Sequence, residues 1–183
     1  LYIHPYAAAM MECWTRPILS DSAWNNGNYE PDKPPLRGMA DALNLLAEEP
    51  LERHDWVLTP HPGEAARLLG TGTTEIQSDR FAAVRRLQQG YGGVCLLKGA
   101  GSLVQGPGQR PPGVCSQGNP GMASGGMGDL LTGIIAGLLA QGFDPEQAAE
   151  LGVCLHARAG DLAAAAGFTA GGRAGRRAPG PAG

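Results

Sequence analysis

The chain has 183 residues, 43% of them hydrophobic and 17% charged, with a formal net charge of −3, which suits one soluble domain with a core of its own. Acidic and basic residues are interspersed and make no basic footprint, so a nucleic-acid partner is set aside. The longest apolar run, inside Leu130 to Ala140, is too short to span a bilayer, and no leader segment is read; four scattered cysteines (Cys13, Cys95, Cys115, Cys154) without metal-ligand spacing point to a reducing, cytoplasmic setting.

Residues 1 to 38 hold no sustained period, end near Pro31-Asp32-Lys33-Pro34-Pro35, and read as irregular. From Ala40 the pattern changes, because Ala42, Leu43, Leu45, Leu46 and Ala47 take a helical spacing that stops at Glu49-Pro50. Trp56-Val57-Leu58-Thr59 reads as a buried strand closed by Pro60 and Pro62, followed by helices over Glu64 to Leu69 and Arg80 to Gln89, the second with Phe81, Val84 and Leu87 as its apolar positions. Gly90, Gly92 and Gly93 punctuate before a strand over Val94 to Leu97. Ser102 to Val104 is a further strand, with a turn at Gly106-Pro107-Gly108 and a hairpin partner over Val114 to Ser116.

Two long helices follow, about Gly125 to Gln141 and Pro145 to about Ala166, separated by Gly142. Gly133 and Gly137, four apart, are read as letting helices pack closely. Gly167 to Gly183 has little to bury and reads as a disordered tail. The alternation of strands and helices predicts an α/β layered fold with its ligand at the carboxyl ends of the strands.

Three segments could carry chemistry. Pro60-His61-Pro62-Gly63-Glu64 presents an imidazole and a carboxylate at a strand end, or is simply a rigid loop with Glu64 at a helix start. Lys98-Gly99-Ala100-Gly101-Ser102 suits phosphate oxygens, or is a β-turn with a solvated lysine. Gly118 to Asp129 is a glycine-dense loop running into a helix, where amide groups can meet an anion and Asp129 can act as a base toward a hydroxyl that attacks a phosphoryl group, with Mg²⁺ as the cation. The plainer alternative is a glycine-rich turn with Asp129 favouring the helix N-terminus. His156 and Asp161, five apart on a helix, read as a core histidine and a solvated aspartate.

In this order, Ala40-Asp41-Ala42-Leu43-Asn44, Thr59 to Glu64, Leu97 to Ser102, Gly118 to Asp129 and Gly152 to Asp161 resemble the ADP/ATP-dependent NAD(P)H-hydrate dehydratases of the ribokinase-like superfamily. The resemblance covers about Ala40 to Ala166. It implies a three-layer α/β/α fold and the repair of NAD(P)H hydrated at C6 (NAD(P)HX), by phosphorylation of the C6 hydroxyl and elimination of phosphate. It further implies ADP or ATP with Mg²⁺, a nucleotide site at Lys98, Gly99, Ala100, Gly101, Ser102 and Gly128, and contacts to the hydrated cofactor from His61, Asp129 and Asn119. An NAD(P)HX epimerase as functional partner and a homo-oligomer belong to the same expectation.

The chain departs from the family pattern where Met39 stands in place of the first aspartate of Asp-Ala-Asp-Ala-Leu-Asn, and at both ends. The expectation is therefore a partial ribokinase-like domain over residues 39–166 without its N-terminal part, through truncation, a shifted frame or a gene-model error. Two rival functions are a ribokinase-like kinase for a small alcohol and an inactive nucleotide-binding fragment.

Overall fold

Val94-Cys95-Leu96-Leu97 is apolar at every position because it is buried on both faces, and it organises the rest of the molecule. The structure is a computed structural model that describes residues 38–167, with side chains from Ala42 onward. The irregular N-terminal segment and the disordered tail expected from the sequence lie, apart from Gly38 and Gly167, outside the described residues.

In chain order the elements are α1 (Gly38–Glu48), β1 (Val57–Leu58), α2 (Pro62–Leu68), α3 (Thr73–Ser78), α4 (Arg80–Tyr91), β2 (Val94–Leu97), β3 (Ser102–Gln105), β4 (Gly113–Cys115), a 3₁₀ turn (Pro120–Met122), α5 (Met127–Ala140) and α6 (Pro145–Ala165). The sheet order is β1-β2-β3-β4. β1 and β2 are parallel, with Val57 opposite Val94, so α2 to α4 form the crossover that parallel pairing requires. β2, β3 and β4 run as an antiparallel meander, which makes the sheet mixed.

Alternate side chains divide between two cores, as the period of a strand demands. Leu58, Cys95, Leu97 and Leu103 face a core completed by α1 to α4. Val57, Val94, Leu96, Val104 and Cys115 face a second core built with α5 and α6. The three layers expected from the resemblance are thus present in the described residues. Leu58, Leu96 and Leu97 are fully buried, and each such side chain contributes roughly 1.5–3 kcal/mol of hydrophobic stabilisation.

Several boundaries differ from the sequence reading. α2 begins two residues earlier than expected, because Pro62 fits the first turn and His61 caps it. α3 was absent from the reading; it buries Ile76 alone of its six residues, too little to make a period. On α4 the buried stripe is Ala83, Val84, Leu87 and Tyr91, while Phe81 is exposed. A Cβ at Gly137 would meet nothing within 4 Å, so that glycine is not a packing device; the close contact between α5 and α6 is made by Gly152, whose Cβ would lie 2.7 Å from Ile135 Cγ1.

Candidate functional site

The parallel pair β1 and β2 ends in a shared platform, because the Lys98 amide donates to the Pro60 carbonyl at 2.9 Å and sets the two strand ends side by side. His61 leaves β1 there and caps α2. Its Nδ1 accepts from the Gly63 amide at 3.0 Å and the Glu64 amide at 3.3 Å. Nδ1 is therefore unprotonated in this geometry, and the neutral ring carries its proton on Nε2. Nε2 lies 3.4 Å from Glu64 Oε1.

Glu64 is 5% exposed. Its Oε2 accepts from the His61 amide at 2.6 Å, completing a reciprocal cap, and stands 3.7 Å from Lys98 Nζ. A buried carboxylate thus sits between the imidazole of one strand end and the ammonium of the next. The rigid-loop reading of Pro60 to Glu64 holds for the backbone, yet the His61 side chain remains half exposed and free to touch a ligand through its ring.

α5 delivers its N-terminus to the same place. A Cβ on Gly128 would stand 3.1 Å from Lys98 Nζ, so only glycine leaves the ammonium its full room there. Thr132, one turn along, is 3% exposed; its hydroxyl donates to the Gly128 carbonyl at 3.0 Å and lies 3.2 Å from the hydroxyl of buried Thr59 at the end of β1. That pair ties the first turn of α5 to the strand. Gly126 caps α5 with φ 85° and no side chain caps the helix; the Met127 amide donates to the Ser124 carbonyl at 3.3 Å, and the amides of Gly128 and Asp129 stay open toward an anion. Asp129 is exposed in that turn.

The two remaining loop residues are each hydrogen-bonded within their own loops. Ser102 Oγ donates to the Gly99 carbonyl at 3.1 Å and lies 3.3 Å from the Gly99 amide, closing the Lys98 to Ser102 loop on itself. Asn119 Oδ1 accepts from the Gly121 amide, and its Nδ2 donates to Asp161 Oδ1, both at 3.0 Å. Asn119 therefore shapes its own loop, with both polar ends engaged.

Asp161 corrects the sequence reading. It is not simply solvated: it accepts from Asn119 and, at 3.0 Å, from the Gly118 amide, and so anchors the glycine-dense loop to α6. These two donors hold its carboxyl below the ordinary range. His156 is the core residue expected, 8% exposed, with its titration pushed down by burial.

The structure thus brings His61, Lys98 and Gly128 together, puts Asp129 in the next position of the same helix turn, and leaves Gly99, Ala100 and Gly101 in the adjoining loop. The sequence reading gave no site role to Thr59 or Thr132, took Asp161 as solvated, and offered Glu64 either as a carboxylate presented beside His61 or as a residue at a helix start. Among the described residues no group of three or more His, Cys, Asp and Glu could hold a metal ion. Mg²⁺ ordinarily keeps several waters and binds substrate phosphates with one or two carboxylates, so the exposed Asp129 fits a supporting contact while the described residues build no cage.

Residues 30–173 match a family model described as NAD(P)H-hydrate dehydratase. The chain is 52% identical over 152 residues to the bifunctional NAD(P)H-hydrate repair enzyme Nnr of Coxiella burnetii, covering 81% of this chain and 31% of that protein. It is 54% identical over 133 residues to the Escherichia coli protein of the same name, covering 72% and 25%. Against the ADP-dependent (S)-NAD(P)H-hydrate dehydratase of Neisseria meningitidis the identity is 44%, covering 81% of this chain and 52% of that one. The chain therefore spans about a quarter to a half of these relatives. Among solved structures, the Bacillus subtilis ADP/ATP-dependent NAD(P)H-hydrate dehydratase co-crystallised with ATP/Mg²⁺ superposes with a TM-score of 0.56 at 34% identity, over 60% of this chain and 39% of that one. A ribokinase-like superfamily protein of Enterococcus faecalis gives 0.58 at 35% identity, over 68% and 43%.

Proposed function

The chain belongs to the NAD(P)H-hydrate dehydratase family, with a ribokinase-like α/β fold, and from that premise we propose that it takes part in nucleotide-dependent conversion of NAD(P)HX to NAD(P)H. The observation that carries the reading is the meeting of Lys98, Gly128 and His61 where β1, β2 and α5 converge. Lys98 and the open amides of α5 suit the phosphates of ADP or ATP. His61, half exposed across the buried Glu64, suits the hydrated cofactor.

Asp129 is the base. Its carboxylate takes the proton of the C6 hydroxyl as that oxygen attacks the terminal phosphorus, and the bond from phosphorus to the nucleotide's bridging oxygen breaks. Phosphate then leaves from C6 with the electrons of that C–O bond, and loss of a proton from C5 restores the dihydronicotinamide. Activation is needed because hydroxide is a poor leaving group and phosphate a good one. Mg²⁺, when bound with the nucleotide, neutralises charge on the phosphate oxygens.

An NAD(P)HX epimerase is the functional partner this reading calls for, supported by the word bifunctional in the names of two relatives and by the S-epimer named for the third. A cytoplasmic homo-oligomer is part of the same proposal. No helix among the described residues is long and apolar enough to cross a membrane.

The test is incubation of the full chain with hydrated NADPH, ADP or ATP, and Mg²⁺, following dihydronicotinamide absorbance. Asp129→Asn should lower turnover by about 10²- to 10⁴-fold while nucleotide binding persists. Unchanged turnover in that variant would remove Asp129 as the base. A stable phosphorylated product without NADPH would point to a small-molecule kinase, and ADP binding without turnover to a nucleotide-binding fragment.

A further inference from the structure

The loop from Lys98 to Ser102 is held from beneath by Arg80, the first residue of α4. Its Nη2 donates to the carbonyls of Leu97 and Lys98, both at 3.3 Å, and its Nη1 donates to the carbonyl of Ala100. In a trans peptide the next amide points the opposite way, and no described peptide bond is cis. Three carbonyls drawn toward the guanidinium therefore turn the amides of Lys98, Gly99 and Gly101 away from it. The first bonds to Pro60 and the second lies near Ser102 Oγ, which leaves the Gly101 amide on the outer side of the loop.

Two further observations bear on the charge of Arg80. Like Arg67, Arg85 and Arg158 it makes no ion pair among the described residues, so no carboxylate neutralises it. Its Nε is buried without a hydrogen-bond partner, and partial burial lowers its affinity for the proton. A guanidinium compensated only by carbonyl dipoles leaves positive potential beneath the loop. Gly99 is matched to it: at φ 149° its Cβ would lie 2.8 Å from Arg80 Nη2.

We propose that Arg80 is a positioning residue for the nucleotide phosphates, acting through the loop backbone: it fixes the loop with its amide edge outward and places a positive charge under the bound anion. This rests on reading Lys98 to Ser102 as part of the nucleotide site.

The experiment is calorimetric binding of Mg²⁺·ADP, with steady-state kinetics on hydrated NADPH, for the wild-type chain, Arg80→Ala and Arg80→Lys. Arg80→Ala should weaken ADP binding about tenfold or more, the scale of a lost charge-assisted contact, with the KM for hydrated NADPH held within about twofold. Arg80→Lys keeps the charge without the three-carbonyl fork and should fall between. Millimolar guanidinium should restore part of the ADP affinity of Arg80→Ala, which a merely structural loss would not allow. If Arg80→Ala does not fold, Arg80→Lys and Gly99→Ala, which crowds the guanidinium from above, carry the same binding test.

ADP affinity within about twofold of wild type in these variants overturns the proposal, whatever their melting temperatures. A wild-type chain that binds ADP without restoring NADPH defeats the dehydratase reading alone. One that binds no ADP defeats the nucleotide reading and this proposal together.

Discussion

Thr132→Val tests how the first turn of α5 is attached to the sheet. The Thr132 hydroxyl donates to the Gly128 carbonyl at 3.0 Å, so its single proton is committed, and the Thr59 hydroxyl must be the donor across their 3.2 Å contact. Valine at 132 leaves the Thr59 proton buried without an acceptor, because Thr59 is 4% exposed. That should cost about 1–3 kcal/mol. Thr59→Val only withdraws a donor from an oxygen that keeps its own acceptor, at about 0.5–1.5 kcal/mol. The double variant removes both partners and should be less destabilised than the two singles combined.

The assay is urea unfolding of the four proteins at one pH, with thermal melts beside it. For a chain of this length each kcal/mol moves the midpoint by about 2–4 °C, so Thr132→Val should melt roughly 2–12 °C lower. Because Gly128 rides on the same turn, the nucleotide KM should rise in Thr132→Val. The reasoning fails if Thr132→Val is no worse than Thr59→Val, or if the double variant equals the sum of the singles.

Gly152→Ala should destabilise by about 1–3 kcal/mol, since its new methyl meets Ile135, while Gly137→Ala, in open space on α5, should stabilise by about 0.5–1 kcal/mol; chemical denaturation separates the two signs. A loss of stability in Gly137→Ala would show that this helix face is covered. Burial lowers the folded-state titration of His156, so the unfolded chain binds the extra proton first. Its contribution is therefore complete above the unfolded value of about 6.5 and is lost as the pH falls through the folded value. Melting temperatures between pH 8 and pH 5 should drop on the acid side, and His156→Gln should flatten that drop; an unaltered profile would refute the assignment.

How legible the molecule was in its sequence depended on the range of the interaction. Val94 to Leu97 stood out because burial on both faces makes an unbroken apolar run; His61 and Lys98 stood out because each adjoins a proline or glycine at a strand end, and Gly128 because it belongs to a glycine-dense run at a helix start. Asp161 was legible only as a solvated aspartate, because the partners it anchors lie 42 and 43 positions away and leave no local period. Thr59 and Thr132, 73 apart, are invisible for the same reason. Arg80 opened a helix like any charged residue, and only the fold reveals which carbonyls it meets. Short α3, with one buried side chain, carried too little periodicity to be found.

β2 carries a last consequence. Every position of the strand is apolar and buried, so polarity along its length does little to oppose a slip of one residue that exchanges Val94 and Leu96 for Cys95 and Leu97. The resistance comes from the ends. A slip in one direction would bring Gly93 into the strand, and a slip in the other would carry Lys98 into the place of Leu97, within the core that holds Leu58 and Leu103. An unpaired ammonium there would cost on the order of several kcal/mol. The ammonium read as an anion ligand thus also keeps the strand in phase with its neighbours, so a neutral replacement at position 98 would loosen pairing fidelity as well as ligand affinity.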